Sequence, residues 1–179
     1  FPSEPHFHIA INVAARHFAH GLLLHDLHNY WFSVNPVQQL VVELTERDVL
    51  QDGDQHMAEH LHFKGVQLAI DDFGTGNTSL SWLEKLRPDV LKIDRSFTSS
   101  VGIDSVNATV TDIIIALANR LHIVTVAEGV ETLEQENYLR SHGVDVLQGF
   151  YYARPMPVEA FPAWLASREE SEGESETTE

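Results

Sequence analysis

Six short runs rich in valine and isoleucine alternate along the chain with longer amphipathic stretches, and this alternation limits the fold more than any other feature. The runs are residues 6–13, 39–44, 66–71, 89–94, 123–129 and 144–150. Helical patterns between them include residues 80–86, 110–121 and 132–143. Strands that alternate with helices predict βαβ units and a parallel sheet. With right-handed crossovers, such a sheet is either open or curled into a barrel.

Polar side chains stand at or near the C-terminal end of every predicted strand. They are Asn12, Glu43, Asp71 with Asp72, Lys92, Glu128 and Gln148. In a parallel α/β sheet these strand ends lie at one edge, where such folds place their active sites. Two adjacent aspartates followed by glycines are also typical of a solvated turn. The presence of polar residues at the ends of all six predicted strands favours a functional site over a solvated turn.

The residue types at this edge indicate a metal site built from oxygen ligands. The chain has no cysteine, and carboxylate and amide oxygens suit Mg²⁺ or Mn²⁺. Asp71 could bridge two ions while Asp72 reaches the second, and paired ions of this kind cleave phosphodiesters. Lys92 could hold the attacking water. The alternative for Lys92 is a side chain that extends into solvent from its strand end.

Charge and composition exclude several other classes of protein. The 179 residues carry a formal charge of −16, and six glutamates fall in the last eleven residues. An acidic body argues against DNA or RNA as a partner, because nucleic-acid binding depends on phosphate neutralisation. No apolar run approaches the roughly 18 residues of a membrane span. We expect one folded domain at residues 1–167 and an acidic disordered tail at residues 168–179.

Histidines offer a rival metal site. His56 and His60 are four residues apart on a possible helix, which is a spacing found in zinc sites. The glutamate that accompanies the first histidine in zinc hydrolases is missing here. The acidic strand ends are therefore the favoured candidate.

Six motifs of the chain resemble, in order, those of the EAL domain family, the cyclic di-GMP phosphodiesterases of bacterial signalling. They are INVAARHF, VELTE, AIDDFGTG, LKIDRSF, VAEGVET and LQGFYYARP, within residues 7–164. The resemblance implies an α/β fold, a TIM-like (β/α) barrel, with six of its eight strands in this chain. It also implies hydrolysis of cyclic di-GMP to linear pGpG with two Mg²⁺ or Mn²⁺ ions.

The resemblance assigns roles to single residues. Asn12, Glu43 and Asp71 would bind one metal ion and Asp71 with Asp72 the second, with Glu128 as a further acid of the metal site. Lys92 would position the attacking water, and Gln148 would contact water or substrate. Glu46 would steady the DFGTG loop, which the family uses in activation and dimerisation, and Glu131 matches another family acid near the site.

Other expectations follow from the same resemblance. They include a homodimer through the DFGTG loop, a cytoplasmic location, and a sensor or membrane domain before this segment. The glutamate of the EAL motif and the arginine after it belong to a strand before the asparagine strand, so we expect this sequence to be part of a longer protein. Ala14 and Asn77–Thr78 depart from the family pattern. The alternative function is a non-catalytic module that binds cyclic di-GMP or a protein partner.

Overall fold

One six-stranded parallel sheet forms the centre of the structure, a computed structural model that describes residues 7–19, 21–34, 36, 39–46, 54–76, 80–102 and 106–175. The strands are β1 (His8–Asn12), β2 (Gln39–Thr45), β3 (Gln67–Phe73), β4 (Val90–Ile93), β5 (Val124–Ala127) and β6 (Val146–Leu147). Each coincides with a predicted strand, because short β-branched runs bounded by turn residues favour extended backbone.

Eight α-helices occur in the described part of the chain. They are α1 (Ala15–Ala19), α2 (Leu22–Asp26), α3 (Asp54–Phe63), α4 (Leu80–Leu86), α5 (Arg95–Thr98), α6 (Val106–Leu121), α7 (Leu133–Ser141) and α8 (Phe161–Ser175). A π-helical turn, Leu27–Trp31, follows α2. The sequence signals for α7 are clear, since Thr132 and Gln135 form a reciprocal capping box at its start.

The strands follow one another in space in the same order as in the sequence, β1 to β6, and all neighbours are parallel. Right-handed crossovers between successive neighbours place the helices on one side of such a sheet. A twisted sheet covered on one side curls towards the other, as in (β/α) barrels. The six strands form a curled half-barrel, which agrees with the barrel alternative of the sequence.

The main hydrophobic core lies between the outer face of the sheet and the helices. Its strand residues include Val42, Ile70 and Ile93, which are fully buried. A second, smaller cluster lies on the inner face, where Val41, Ala69 and Val90 are joined by the half-buried Val126. This inner cluster forms an apolar layer on the face that carries the predicted site.

The ends of some elements differ from the prediction. Strand β6 has two residues instead of seven, and α6 begins at Val106, four residues early. Helix α8 continues to Ser175 and so extends into residues 168–179, the segment for which an acidic disordered tail is predicted. Arg168 at that point packs over the Trp164 ring and donates to the carbonyl oxygen of Tyr152. Residues 176–179 lie outside the described residues.

In the part of the chain that the structure describes, no helix combines the length and the apolar character needed to cross a membrane.

Candidate active site

Lys92 forms ion pairs with three carboxylates at the C-terminal edge of the sheet. Its Nζ atom lies 2.7 Å from Glu128 Oε1, 2.9 Å from Glu43 Oε2 and 3.1 Å from Asp71 Oδ1. Only 7% of Lys92 is exposed. The lysine therefore does not extend into solvent, and it joins acidic residues that lie on β2, on β3 and directly after β5.

Strand register explains why these side chains meet. Glu43 pairs with Asn12 between β2 and β1, and Lys92 pairs with Val126 between β4 and β5. Successive side chains on a strand point to opposite faces, so Glu128, two residues beyond Val126, lies on the same face as Lys92. The site therefore occupies the inner face of the half-barrel, above the apolar layer.

An irregularity at the end of β3 brings two adjacent carboxylates to this face. The register with β4 shifts between Ile70 and Phe73, and Asp72 has a left-handed backbone with φ of 54°. Its amide donates to Asp71 Oδ1 at 3.0 Å. In a regular strand the two aspartates would face opposite sides. The bulge places carboxylate oxygens of Asp71, Asp72 and Glu128 within 4.8 Å of one another.

Electrostatics at the site favour the binding of cations. Burial raises the pKa of the Glu128 carboxyl, and the charges of Asp71 and Glu43 raise it further, against the opposing effect of Lys92. Burial alone would lower the pKa of Lys92, but hydrogen bonds and charge interactions with Glu128 and Glu43 raise it overall. One ammonium group thus faces several carboxylates, and the excess negative charge can be offset by metal ions.

Asp94 is a further acid beside the site that the sequence interpretation does not single out. It caps α5, accepting from the Ser96 amide at 2.9 Å. Burial raises the pKa of its carboxyl, but hydrogen bonds with Ser96, the Arg95 amide and Asp72 lower it overall. The sequence feature that could have identified Asp94 as a site residue is its position two residues after Lys92, at the end of the same strand.

Glu46 holds the loop that follows β3. Its Oε2 accepts hydrogen bonds from the amides of Gly74 at 2.8 Å and Gly76 at 2.9 Å. Gly74 has a positive φ of 97°, and a Cβ there would lie 2.8 Å from the Phe97 ring and 2.9 Å from Ile114. The absence of a side chain at Gly74 therefore lets this loop pack closely on Phe97 and Ile114 of the same chain. Residues 77–79 of this loop lie outside the described residues.

Asn12 and Gln148 stand at the two sides of the site. Asn12 ends β1, is exposed, and borders a cavity of about 490 Å³ beside the first strand. Gln148 follows β6, and its amide donates to the Ala127 carbonyl oxygen at 2.8 Å. It lines a cavity of about 180 Å³ together with Glu128 and Glu131. Both predicted residues thus lie on the edge where Lys92 and its acids meet.

The rival histidine site has no support in the structure. His56 and His60 lie on α3 and are exposed, and His56 Nδ1 is 3.4 Å from Glu59 Oε2. Among the described residues, the group of three side chains able to hold a metal ion is the acidic one at the end of β3 and β5.

Comparison with known proteins decides the family. The model of the EAL domain matches residues 2–155 of the chain. The chain belongs to the EAL domain family. An EAL relative, the probable cyclic di-GMP phosphodiesterase PdeD of Escherichia coli strain K12, is 64% identical over 166 residues. This match covers 93% of the chain but 31% of PdeD, so the chain spans less than a third of that protein.

Solved EAL structures share the fold. The structure described as PaMucR phosphodiesterase, c-di-GMP complex, has a TM-score of 0.78 and 38% identity, over 86% of this chain and 64% of that one. Klebsiella pneumoniae BlrP1, in a complex with manganese and cyclic di-GMP, has a TM-score of 0.72 and 31% identity, over 82% of this chain and 38% of that one. The TIM-like class predicted from the sequence is confirmed.

Proposed function

We propose that this EAL chain supplies most of the catalytic site of a phosphodiesterase that hydrolyses cyclic di-GMP to linear pGpG. The observation that carries the proposal is the contact of Lys92 with three carboxylates from separate strands. An oxygen-lined cluster of this kind is suited to phosphodiester cleavage with two divalent ions. Support also comes from PdeD and PaMucR, whose names describe cyclic di-GMP phosphodiesterases or a complex with that nucleotide.

The donor set fits two Mg²⁺ or Mn²⁺ ions. Carboxylate oxygens of Asp71, Asp72 and Glu128 are close enough together to share ions, and oxygen ligands suit both metals. Glu43 and Asn12 are register partners at the adjoining strand ends, and they complete the set that we assign to metal binding. When bound, the ions would offset the negative charge that develops on the attacking and leaving oxygens.

The remaining residues would act on water and on the substrate. The Lys92 ammonium is fixed by its carboxylate partners, so it can donate a hydrogen bond to the attacking water and favour loss of a proton from that water. Water would attack phosphorus as the bond to the leaving sugar oxygen breaks. Gln148, at the rim of the small cavity, would orient water or a phosphate oxygen. Glu46 would keep the loop after β3 in place.

The direct test is hydrolysis of cyclic di-GMP, with MnCl₂ or MgCl₂, by a purified longer protein that contains this chain. We expect linear pGpG as the product and loss of at least 100-fold in rate for Asp71→Asn, because loss of a single electrostatic contributor commonly costs ~10² to 10³. Asp112→Asn, which changes an acid bound to Tyr138 on the outer helices, is the control. Binding of cyclic di-GMP without turnover would instead support the non-catalytic module.

The biological setting belongs to the same proposal. We propose a homodimer that involves the loop after β3, a cytoplasmic location, and a sensor or membrane domain encoded before this segment. Support for additional segments comes from PdeD, since 69% of that protein lies outside the match, which covers 31%. Size measurement on the longer protein, with and without Glu46→Gln, would test the dimer.

A further inference from the structure

An ion pair between Arg95 and Glu131 links the start of α5 to the loop that follows β5. Arg95 Nη2 lies 2.7 Å from Glu131 Oε1. Arg95 is the first residue of α5, directly after Asp94, and Glu131 lies three residues after Glu128. The side chains are 61% and 41% exposed, and ion pairs this exposed add little to stability.

Gly129 allows the Arg95 side chain to lie against the loop. It has a positive φ of 68°, and a Cβ at this position would overlap the Cγ of Arg95. The aliphatic part of Arg95 therefore lies directly on the backbone between Glu128 and Glu131. Its guanidinium group extends beyond this backbone and binds the Glu131 carboxylate. A larger residue at position 129 would push the arginine away.

The loop held in this way carries Glu128 and also contacts Gln148. The Glu128 amide donates to the Ile93 carbonyl oxygen at 3.0 Å, and the Val130 amide donates to that of Gln148 at 3.0 Å. The Val130 carbonyl oxygen accepts from the Tyr151 amide at 3.0 Å. A displacement of the loop would thus move Glu128 and disturb the backbone of Gln148.

We propose that Arg95 and Glu131 are positioning residues whose ion pair, closed over Gly129, sets the place of the Glu128 carboxylate relative to Lys92. The proposal rests on the proposed phosphodiesterase function. Its physical basis is that the reaction rate is more sensitive than the stability to loss of this ion pair. Stability changes little when an exposed ion pair is lost, whereas a misplacement of about 1 Å at reacting groups can reduce the rate by about 10².

The test compares Arg95→Ala, Glu131→Gln and the double variant in the protein that hydrolyses cyclic di-GMP. Arg140→Ala is the control, because Arg140 is about as exposed as Arg95 and forms an ion pair with Glu136 at 2.9 Å on α7. We expect each single variant to lower kcat by about tenfold or more with KM within twofold and with an unchanged melting temperature. The double variant should be no slower than the singles, since non-additivity reports coupling, and Arg95→Lys should recover part of the rate.

Three results would overturn the proposal. A raised KM for Arg95→Ala with normal Glu131→Gln would mean that the arginine contacts substrate directly. Multiplicative losses in the double variant would show two independent roles. Equal losses in Arg140→Ala would show a general charge effect.

A readout without turnover separates this proposal from the proposed function. Mn²⁺ affinity, measured by electron paramagnetic resonance, should weaken to the same extent in Arg95→Ala and Glu131→Gln but not in Arg140→Ala. If the unmodified protein binds Mn²⁺ without hydrolysing cyclic di-GMP, the proposed function fails and this measurement still decides the role of the ion pair. Unchanged Mn²⁺ affinity in both variants would refute it.

Discussion

Glu128 Oε1 and Lys92 Nζ, 2.7 Å apart, form the shortest of the three ion pairs that Lys92 makes. The contact joins the end of β5 to β4 on the inner face, where burial raises the pKa of Glu128. Lys92 opposes that effect and supplies positive charge to Glu43 and Asp71 as well. A single buried cation therefore holds the acidic residues of the site together when metal ions are absent.

Replacing Lys92 with methionine should make stability depend on metal. The change leaves buried carboxylates without their cation, and losing one partner of a buried pair costs about 3 kcal/mol or more. Urea unfolding should show this loss in EDTA and a smaller loss in MnCl₂. Lys85→Met, on the exposed face of α4, should change neither value. Equal destabilisation of the Lys92 variant in both buffers would contradict the expectation.

Activity should require Mg²⁺ or Mn²⁺ and be inhibited by Ca²⁺. The ligands are carboxylate oxygens placed close together, and a tight two-ion arrangement suits small octahedral cations better than Ca²⁺ with its longer, flexible coordination. The measurement is cyclic di-GMP turnover after EDTA treatment and after addition of each metal. Turnover that survives EDTA would show that hydrolysis proceeds without these ions.

Glu46→Gln should slow turnover without weakening Mn²⁺ binding. Glu46 Oε2 accepts from two loop amides, and an amide side chain replaces charge-assisted hydrogen bonds with weaker ones. We expect a loss of about tenfold in kcat and an unchanged Mn²⁺ dissociation constant. Glu59→Gln, at an exposed position on α3, is the control. A wild-type rate would mean that the loop does not depend on Glu46.

Two variants of Asp94 should separate its role as a helix cap from the role of its charge. Asparagine caps helices as well as aspartate, whereas alanine costs about 1 kcal/mol. Asp94→Asn should therefore lower the free energy of unfolding less than Asp94→Ala does. Both remove the charge beside Asp72, so both should reduce turnover. Full activity in the asparagine variant would assign Asp94 to capping alone.

The chain Phe1–Glu179 alone should be nearly inactive and prone to association, in contrast to a chain extended at its N-terminus. Strands β1 and β6 each have one neighbour in the described sheet, and open strand edges favour pairing with other chains. The glutamate of the EAL motif, which the family pattern has on a strand before the asparagine strand, is not among the 179 residues. The two proteins should be compared by light scattering and by turnover at equal concentration. A monomeric, fully active short chain would refute the expectation.

Most of the strand positions and the edge that carries the site could be predicted from the sequence. Short β-branched runs define strands by their composition, and parallel order places their polar ends together, as seen for Glu43 and Lys92. The limits of β6 could not be predicted, because its run of apolar residues continues past the point where the chain turns at Gly149. The hydrogen bond from Arg168 to the Tyr152 carbonyl oxygen, across 16 residues, could not be predicted from the local sequence of α8.

Details of the site depended on three-dimensional contacts. The adjacent Asp71 and Asp72 suggested a shared metal site, but the bulge and the left-handed backbone that turn both inward arise from pairing with β4. Asp94 was overlooked because an aspartate that ends a strand is common in turns. Its interaction with the Asp72 side chain depends on how closely the ends of β3 and β4 approach each other.

The sequential order of the strands has a consequence for how the chain acquires its structure. In the described sheet each strand pairs only with the strands that precede and follow it in the sequence, so each pairing closes a loop that contains one or two α-helices. The entropic cost of closing a loop rises with its length, so pairing between strands that are neighbours in sequence costs less than pairing between distant strands. A sheet with this order can be extended one strand at a time, and the acidic residues would then reach Lys92 in two stages. In such an order Glu43 and Asp71 would contact Lys92 when β4 pairs with β3, and Glu128 would join them when β5 is added.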